Sequence, residues 1–425
     1  MSQVSVIKQK FKSAIRRGTG EAYLLMQSHP KLDFSRDIIQ ACLENFAYDR
    51  QCESDREYYL FELIALFGKK DKIRDAILKG LITEQHDTWA LTQLFALAKM
   101  FALQGDEEAK RAIYDRFLVN HIAGSDWAGT SEILALDGMA GMLFIAEKLG
   151  EALENDPEDW QDDTTVRFFH ERNPQLDVWG ELETAAQSNR FIKKYFDEVV
   201  AAREKRLNYK RDEVVYKDVI DEVLSNKAWR FTRRKLNDEE LGLIAKRLLV
   251  EKNKQKKQKL LAIFSKYKFP LDPQFMIDIA TKTVASAKRV RELALSAMRF
   301  LKSDAIREFA IEGITSGRNP DNFAWAFVAN YQDGDEVLLA SIVDRAKNEH
   351  VIECLNSVYM EIFKANPTTK CKAPLMALYN NTNCGICRSG IVRLLIENEA
   401  LPDEIKEEIK FDCADETRAL ADSII

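Results

Sequence analysis

Apolar and polar residues alternate along the second half of the chain with the period of helices that bury one face. In each segment from about Gln255 onward, apolar residues recur at i, i+3, i+4 and i+7, which is the spacing of a half-buried helix. One such stripe consists of Val290, Leu293, Ala294, Ala297, Met298 and Leu301. Turn-forming residues separate the segments where hairpins require them. The pattern therefore predicts a succession of paired helices.

The predicted pairs repeat at similar intervals of 32, 34, 28 and 36 residues. The first helices of the pairs begin near Lys257, Arg289, Phe323, Val351 and Cys387. A period of ~20–50 residues marks stacked supersecondary units, and stacking buries an apolar stripe that a single hairpin leaves open. We predict an all-α fold, an α-solenoid of stacked antiparallel helix pairs. An irregular helical bundle is the alternative.

The first half of the chain is also predicted to be helical, but its hairpins are less alike. Residues 55–67 pair with 70–82, and residues 88–103 pair with 106–119. In the second hairpin the turn is Gln104-Gly105-Asp106, where Gly105 suits a left-handed helix end and Asp106 can cap the next helix. Strand signals are scarce throughout. We therefore predict an irregular helical N-terminal half.

Two charge blocks lie between the halves. Residues 151–180 hold nine acidic residues against two arginines, a net charge of −7, and residues 203–259 hold 18 basic against 10 acidic residues, a net charge of +8. These blocks suggest four segments. They are N-terminal helical hairpins at 1–150, an acidic insertion or linker at 151–180, a basic helical connector at 181–254 and a repeat array at 255–425.

The basic block contains aromatic residues among its cations, a combination that can bind nucleic acid through phosphate contacts and base stacking. Its candidate binding residues are Trp229, Arg230, Arg233 and Arg234. The whole chain nevertheless has a net charge of −6 and a pI near 5.7, whereas DNA-binding domains are usually basic. We therefore favour a solvated face over an acidic protein partner, and either of these over nucleic acid.

The seven cysteines are the sharpest chemical candidates. Their odd number and the lack of a signal peptide indicate a reducing compartment without disulfides. Cys384 and Cys387 form a CxxC, and with Cys371 and Cys413 they offer zinc four thiolates. No second CxxC is present, as a zinc ribbon would have. A redox-active pair at a helix N-terminus and purely structural cysteines remain the alternatives.

Targeting signals are not evident in the sequence. The first residues predict an amphipathic basic helix without the continuous apolar core of a signal peptide. The longest apolar stretch, Ile133 to Ala146, is too short and too polar to span a bilayer. We expect a cytoplasmic protein without a membrane span.

A resemblance adds to this interpretation. The segment VRELALSAMRFLKSDAIREFAIEGI resembles a HEAT-type repeat, with an arginine near the start of its first helix. Residues 387–421 are similar to the HEAT-like ends of uncharacterised bacterial proteins. The resemblance covers residues 255–425, although the third and fourth pairs lack the Asp and Arg ladder of the family. It implies a solenoid with a concave binding surface, usually for proteins.

Catalytic motifs are scarce. No phosphate-binding loop, nucleophile elbow or spaced histidine pair occurs. The array also resembles the helical-repeat DNA glycosylases, in which Trp325 with Asp333 or Asp335 would line the groove, but the acidic net charge disfavours a DNA groove. We therefore expect a non-catalytic protein-binding scaffold without a cofactor. A nucleic-acid-binding or repair protein and a zinc-stabilised helical module are the alternatives.

Overall fold

The computed structural model describes residues 2–53, 56–119, 128–156, 161–209, 215–225, 235–282, 287–317, 319–346 and 348–424. Within these ranges every regular element is a helix, so the chain is an all-α protein, as predicted. Contacts group the chain into two compact units. The first comprises Met1–Asp212 and Phe411–Cys413, and the second comprises Glu213–Lys410 and Ala414–Ile425.

The described part of the first unit contains eleven α-helices. They are α1 (Gln3–Arg17), α2 (Glu21–Ser28), α3 (Ser35–Leu43), α4 (Glu57–Leu66), α5 (Lys70–Thr83), α6 (Thr88–Ala102), α7 (Glu107–Leu118), α8 (Thr130–Asn155), α9 (Thr164–Arg172), α10 (Val178–Ala186) and α11 (Arg190–Asn208).

The second unit continues with shorter helices. They are α12 (Val219–Ser225), α13 (Asp238–Val250), α14 (Lys254–Phe264), α15 (Gln274–Lys282), α16 (Lys288–Ala297), α17 (Asp304–Thr315), α18 (Pro320–Ala324), α19 (Phe327–Asn330), α20 (Asp335–Arg345), α21 (Glu349–Ala365), α22 (Lys372–Asn381), α23 (Gly385–Glu397), α24 (Asp403–Glu408) and α25 (Asp415–Asp422).

Helices pack in the same order in both units. In the first unit each helix from α1 to α6 packs against the helix two places later in the chain, and in the second unit the same holds from α14 to α21. Each unit buries an apolar core of its own. The stripe from Val290 to Leu301 is buried as the sequence predicted. Successive hairpins therefore lie side by side within each unit.

The turn between α6 and α7 confirms its prediction from sequence. Gly105 has a φ of 90°, in the left-handed region, and a Cβ at this position would meet nothing within 4 Å. Glycine is thus favoured by the backbone conformation and not by crowding. The Asp106 carboxylate accepts the backbone N–H groups of Glu108 and Ala109 at the start of α7. These bonds satisfy helix donors that have no intrahelical partner.

Helices α8 and α11 form the most extensive helix pair of the first unit. Their contact is made by backbone at Gly150, because a Cβ there would lie 1.8 Å from the carbonyl oxygen of Phe191. Any larger residue would force the two helices apart. The same long helix is interrupted at Gly138, where φ is 54° and ψ is −124°.

The compact units divide the chain differently from the segments drawn on charge. The division falls between residues 212 and 213, inside the stretch 181–254. In the acidic stretch 151–180 the structure places all of α9 and the start of α10. No described helix is long and apolar enough to cross a bilayer.

Candidate metal centre

Helix α21 carries two polar side chains inside its apolar stripe. Glu353 is only 8% exposed, and Asn356, one turn later, is fully buried. Their buried neighbours on the helix are Ile352, Leu355, Val358, Tyr359, Ile362 and Phe363. A buried carboxylate is costly unless it is paired, hydrogen-bonded or bound to a metal. The surroundings of Glu353 therefore decide what it does.

The loop between α22 and α23 brings the CxxC motif to Glu353. Cys384 is the N-cap of α23, and its Sγ accepts the backbone N–H of Cys387 over 3.2 Å. Because the two cysteines lie within one helical turn, both sulfurs face the same side. Cys384 is buried and Cys387 is half-buried.

The carboxylate of Glu353 and the sulfurs of Cys384 and Cys387 converge. One oxygen and the two Sγ atoms all lie within 4.8 Å of one another, the one such group of metal-binding side chains found among the described residues. Two sulfurs on a tetrahedral zinc, each about 2.3 Å from the metal, stand about 3.8 Å apart. The limit of 4.8 Å is therefore compatible with a ligand set.

Four donors hold the Glu353 carboxylate in place. The Thr382 hydroxyl lies 2.8 Å from Oε1 and 2.9 Å from Oε2, and the backbone N–H of Asn383 donates to Oε1 over 2.9 Å. The Asn356 side-chain amide donates to Oε2 over 2.7 Å. The N–H of Cys384 makes a longer contact of 3.4 Å. A carboxylate has about four acceptor positions, so these four donors account for them.

No cation is among these partners. The contacts of Glu353 with described residues are with neutral donors, which are a hydroxyl, amides and the Cys387 thiol. The Asn356 side chain contributes a further polar atom, because its Oδ1 is buried and has no hydrogen-bond partner in the described part of the chain. Buried polar atoms without partners are rare and call for an explanation.

The Cys387 thiol lies among these groups, and they change its pKa. Its pKa is raised above the ordinary value, first by the hydrogen bond with Cys384 and then by burial and the negative charges of Cys384 and Glu353. The protonated Cys387 thiol is therefore favoured in the metal-free protein. A divalent cation would displace that proton and compensate the carboxylate at the same time.

Two of the four cysteines predicted as zinc ligands lie outside this cluster. Cys371 is fully buried in the core of the second unit, and burial raises the pKa of its thiol to about 11. Cys413 belongs to the first unit, where its backbone N–H donates to the carbonyl of Gly18 over 2.8 Å. The structure thus brings together Cys384 and Cys387 and places Glu353 beside them.

The other predicted site residues fall elsewhere. Trp229, Arg230, Arg233 and Arg234 lie outside the described residues. The three residues considered for a glycosylase groove have other partners. Asp335 is paired with Arg307, Asp333 is paired with Lys370, and the Trp325 ring lies under the Arg299 guanidinium.

Sequence reasoning missed Glu353, although the sequence contains a signal for it. Glu353 and Asn356 occupy i and i+3 of a stripe whose other members are apolar. A charged residue in the middle of an apolar stripe is seldom buried without a partner. The identity of that partner depended on how α21 packs against α23, which spacing alone does not give.

We compared the chain with family models, curated proteins and solved structures. No family model, no curated protein and no solved structure matches the chain.

Proposed function

We propose that this chain is a non-catalytic helical interaction protein whose second unit is stabilised by a zinc ion. Glu353, Cys384 and Cys387 are the proposed ligands. The observation that carries the metal site is the convergence of one carboxylate oxygen and two sulfurs within 4.8 Å, at a carboxylate that has no cationic partner among the described residues.

The donor set selects the metal. Two thiolates favour soft or borderline cations, whereas magnesium and calcium prefer oxygen ligands. Zinc accepts sulfur and carboxylate oxygen together in tetrahedral sites. The three groups leave a fourth position, which water or a donor from another molecule fills. Thr382, Asn356 and the backbone amides orient the carboxylate, as hydrogen-bonding groups around metal ligands commonly do.

The interaction role rests on the order of helix packing. In both units successive hairpins lie side by side, which is the arrangement that stacked helical repeats extend into a solenoid. A HEAT-like solenoid of this kind offers a long surface of helices and loops for a protein partner. On this proposal the zinc ion locks α21 to the start of α23, and so fixes the relative position of two hairpins in the array.

Metal content tests the first half of the proposal. The reduced full-length chain, stripped with chelator and dialysed against zinc, should retain one zinc per chain by elemental analysis. Cys384→Ser and Cys387→Ser should lose it. Thr382→Val should weaken zinc binding by about 10–100-fold, because it removes a hydroxyl that orients the carboxylate.

Cys354→Ser is the matched control for these variants. Cys354 follows Glu353 in α21, but its sulfur lies 3.6 Å from the imidazole of His350 and not in the cluster. This variant should bind zinc like the parent chain. Equal zinc retention by the parent chain, Cys384→Ser and Cys387→Ser would contradict the ligand assignment.

Affinity capture tests the interaction role. The tagged chain is recovered from its own host after nuclease treatment, over a salt series, and captured proteins are then purified and recombined with it. We expect a partner that rebinds in a fixed stoichiometry. Recovery of nucleic acid alone, lost between low and moderate salt, would contradict a protein-binding role and favour the basic block as the functional surface.

A further inference from the structure

We propose that the metal site is redox-gated: Cys384 and Cys387 close to a disulfide in reaction with a low-molecular-weight disulfide, and the metal is released. This inference rests on the proposed zinc site and adds its regulation. Its basis is the arrangement of the three ligands, in which one helical turn supplies both sulfurs and a distant helix supplies the carboxylate.

A single bond would remove two of the three ligands. The sulfurs of Cys384 and Cys387 already lie within 4.8 Å of each other, and a disulfide requires about 2.05 Å, within reach of side-chain rotation and a small backbone shift. The remaining carboxylate alone would be a weak ligand for zinc.

The hydrogen bonds around Glu353 should persist when the two cysteines are oxidised. The hydrogen bonds from Thr382, Asn356 and the Asn383 amide to Glu353 involve no sulfur. Oxidation would therefore remove the metal without removing the contacts that hold α21 to the following loop. A structural cysteine cluster whose sulfurs held the loop by themselves would unfold on oxidation instead.

Exposure decides which sulfur reacts first. Cys387 is half-buried, whereas Cys384 is only 6% exposed. Cys371 and Cys42 are fully buried, so neither competes for a reagent or for Cys387. The entry point is thus Cys387, and Cys384 acts as the resolving thiolate.

The reaction balances in two exchanges. In the zinc-loaded chain the Cys387 sulfur would be a thiolate; it attacks one sulfur of the external disulfide, which forms a mixed disulfide and expels one thiolate. The Cys384 thiolate then attacks the Cys387 sulfur, forms the internal bond and expels the second thiolate. The two cysteines lose two electrons, the external disulfide gains them, and zinc leaves as the divalent ion without a change of oxidation state.

The test uses the zinc-loaded full-length chain and oxidised glutathione. Released zinc is followed with a chromogenic chelator, and intact mass reports either loss of two hydrogen atoms or addition of glutathione. We expect one zinc released for each internal disulfide, and rebinding after dithiothreitol. Groups that merely orient a metal ligand change affinity by about 10–100-fold, so loss of two ligands should lower zinc affinity more than about 100-fold.

Variants separate the steps. In a Cys52→Ser background, which removes the exposed cysteine, Cys384→Ser examined by mass alone should stop at a single glutathione adduct on Cys387. In the same background Cys354→Ser should form the internal disulfide and release zinc as the chain without that change does. Far-UV circular dichroism should stay unchanged during release. Loss of the helical signal together with the metal would overturn the gating and indicate unfolding.

The outcomes distinguish this inference from the zinc site itself. A chain that takes up zinc but keeps it in oxidised glutathione, or that loses it with only an adduct, refutes the gating and leaves the site. A chain that never takes up zinc refutes both, whatever the mass shows.

Discussion

Two buried carboxylates in the second unit, Asp335 and Glu353, join neighbouring helices by different means. The Asp335 carboxylate accepts hydrogen bonds from both terminal nitrogens of Arg307, over 2.6 and 2.7 Å. It also accepts one from the backbone N–H of Gln332. Glu353 accepts only neutral donors among the described residues. The first carboxylate has its counter-charge built into the fold. The second is fixed by hydrogen bonds but has no positively charged partner among the described residues. A site for an external cation requires such a carboxylate.

A third carboxylate extends the comparison to the first unit. Asp106 pairs with Arg74 over 2.7 and 2.9 Å while it also caps α7. Asp106 and Asp335 therefore both combine an arginine with nearby backbone N–H groups. Glu353 has the backbone contacts and lacks the arginine, and two sulfurs stand near it instead. The difference lies in the counter-charge and not in the hydrogen bonds.

In the metal-free protein, the largest expected effect comes from removing the counter-charge of Asp335. Arg307→Met keeps the length of the side chain and leaves a carboxylate that is 6% exposed without its partner. Breaking a buried pair in this way costs about 3 kcal/mol of unfolding free energy. Urea unfolding followed by circular dichroism measures it.

Arg345→Met provides the control for that measurement. Arg345 is exposed, and within the described part of the chain its side chain bonds only to Ser341 in its own helix. The variant should therefore lie within about 0.5 kcal/mol of the parent chain. If Arg307→Met were equally mild, Asp335 would not need its arginine, and the contrast with Glu353 would fail.

Lowering the pH should reduce the stability that the ion pair between Asp106 and Arg74 gives the folded chain. The hydrogen bond from Arg74 lowers the pKa of Asp106 from 3.8 to about 2, so the folded state binds that proton less readily than the unfolded state. The resulting stability is fully present above pH 3.8 and is lost as pH falls toward about 2. One pKa unit is worth about 1.4 kcal/mol, and solvent screens this partly exposed pair, so we expect a loss of about 1–2 kcal/mol.

Asp106→Asn should flatten this part of the stability profile. The control is Asp115→Asn, which changes an exposed acid in the same helix and should leave the slope between pH 4 and pH 2 intact. Chemical unfolding at stepped pH measures both variants. An unchanged slope in Asp106→Asn would show that other acids dominate the acid response.

The smallest effect is expected at Glu353 in the metal-free protein. Glu353→Gln keeps an oxygen for Thr382 and the loop amides but turns an amide nitrogen toward the donor of Asn356. With no cationic partner left behind, the cost should be about 1 kcal/mol. Glu361→Gln, an exposed change on the same helix, is the control.

The same variant should lose the stabilisation that zinc gives the parent chain. A ligand at about 1,000 times its dissociation constant adds about 4 kcal/mol. A loss near 3 kcal/mol in the metal-free Glu353→Gln chain would instead indicate a charge partner for Glu353, and the comparison with Asp335 would collapse.

Local patterns predicted most of the fold, because helix periodicity and turn chemistry are properties of neighbouring residues. The hairpin at Gln104-Gly105-Asp106 and the stripe from Val290 to Leu301 are examples. The pairing of Cys384 with Cys387 was also local, since one helical turn holds both. Such features need no knowledge of distant packing.

Distant packing explains what the sequence left out. Glu353 lies 31 residues before Cys384, and only the contact of α21 with the loop before α23 brings them together. Nothing in the spacing of Cys371 and Cys413 places them near the same point, and the structure assigns Cys371 to a core and Cys413 to the other unit. A four-cysteine site was a reasonable hypothesis from composition, but composition carries no information on which helices touch.

The backbone contact at Gly150 has a practical consequence for genetics. A Cβ there would lie 1.8 Å from the Phe191 carbonyl oxygen, so Gly150→Ala must push apart the two longest helices of the first unit. Overpacking of this kind costs about 1–3 kcal/mol, and 1 kcal/mol lowers the melting temperature of a unit this size by about 2–4 °C. The substitution is therefore a rational design for a conditional allele, functional in cool-grown cells and lost on warming, with which the cellular role of the chain can be observed directly.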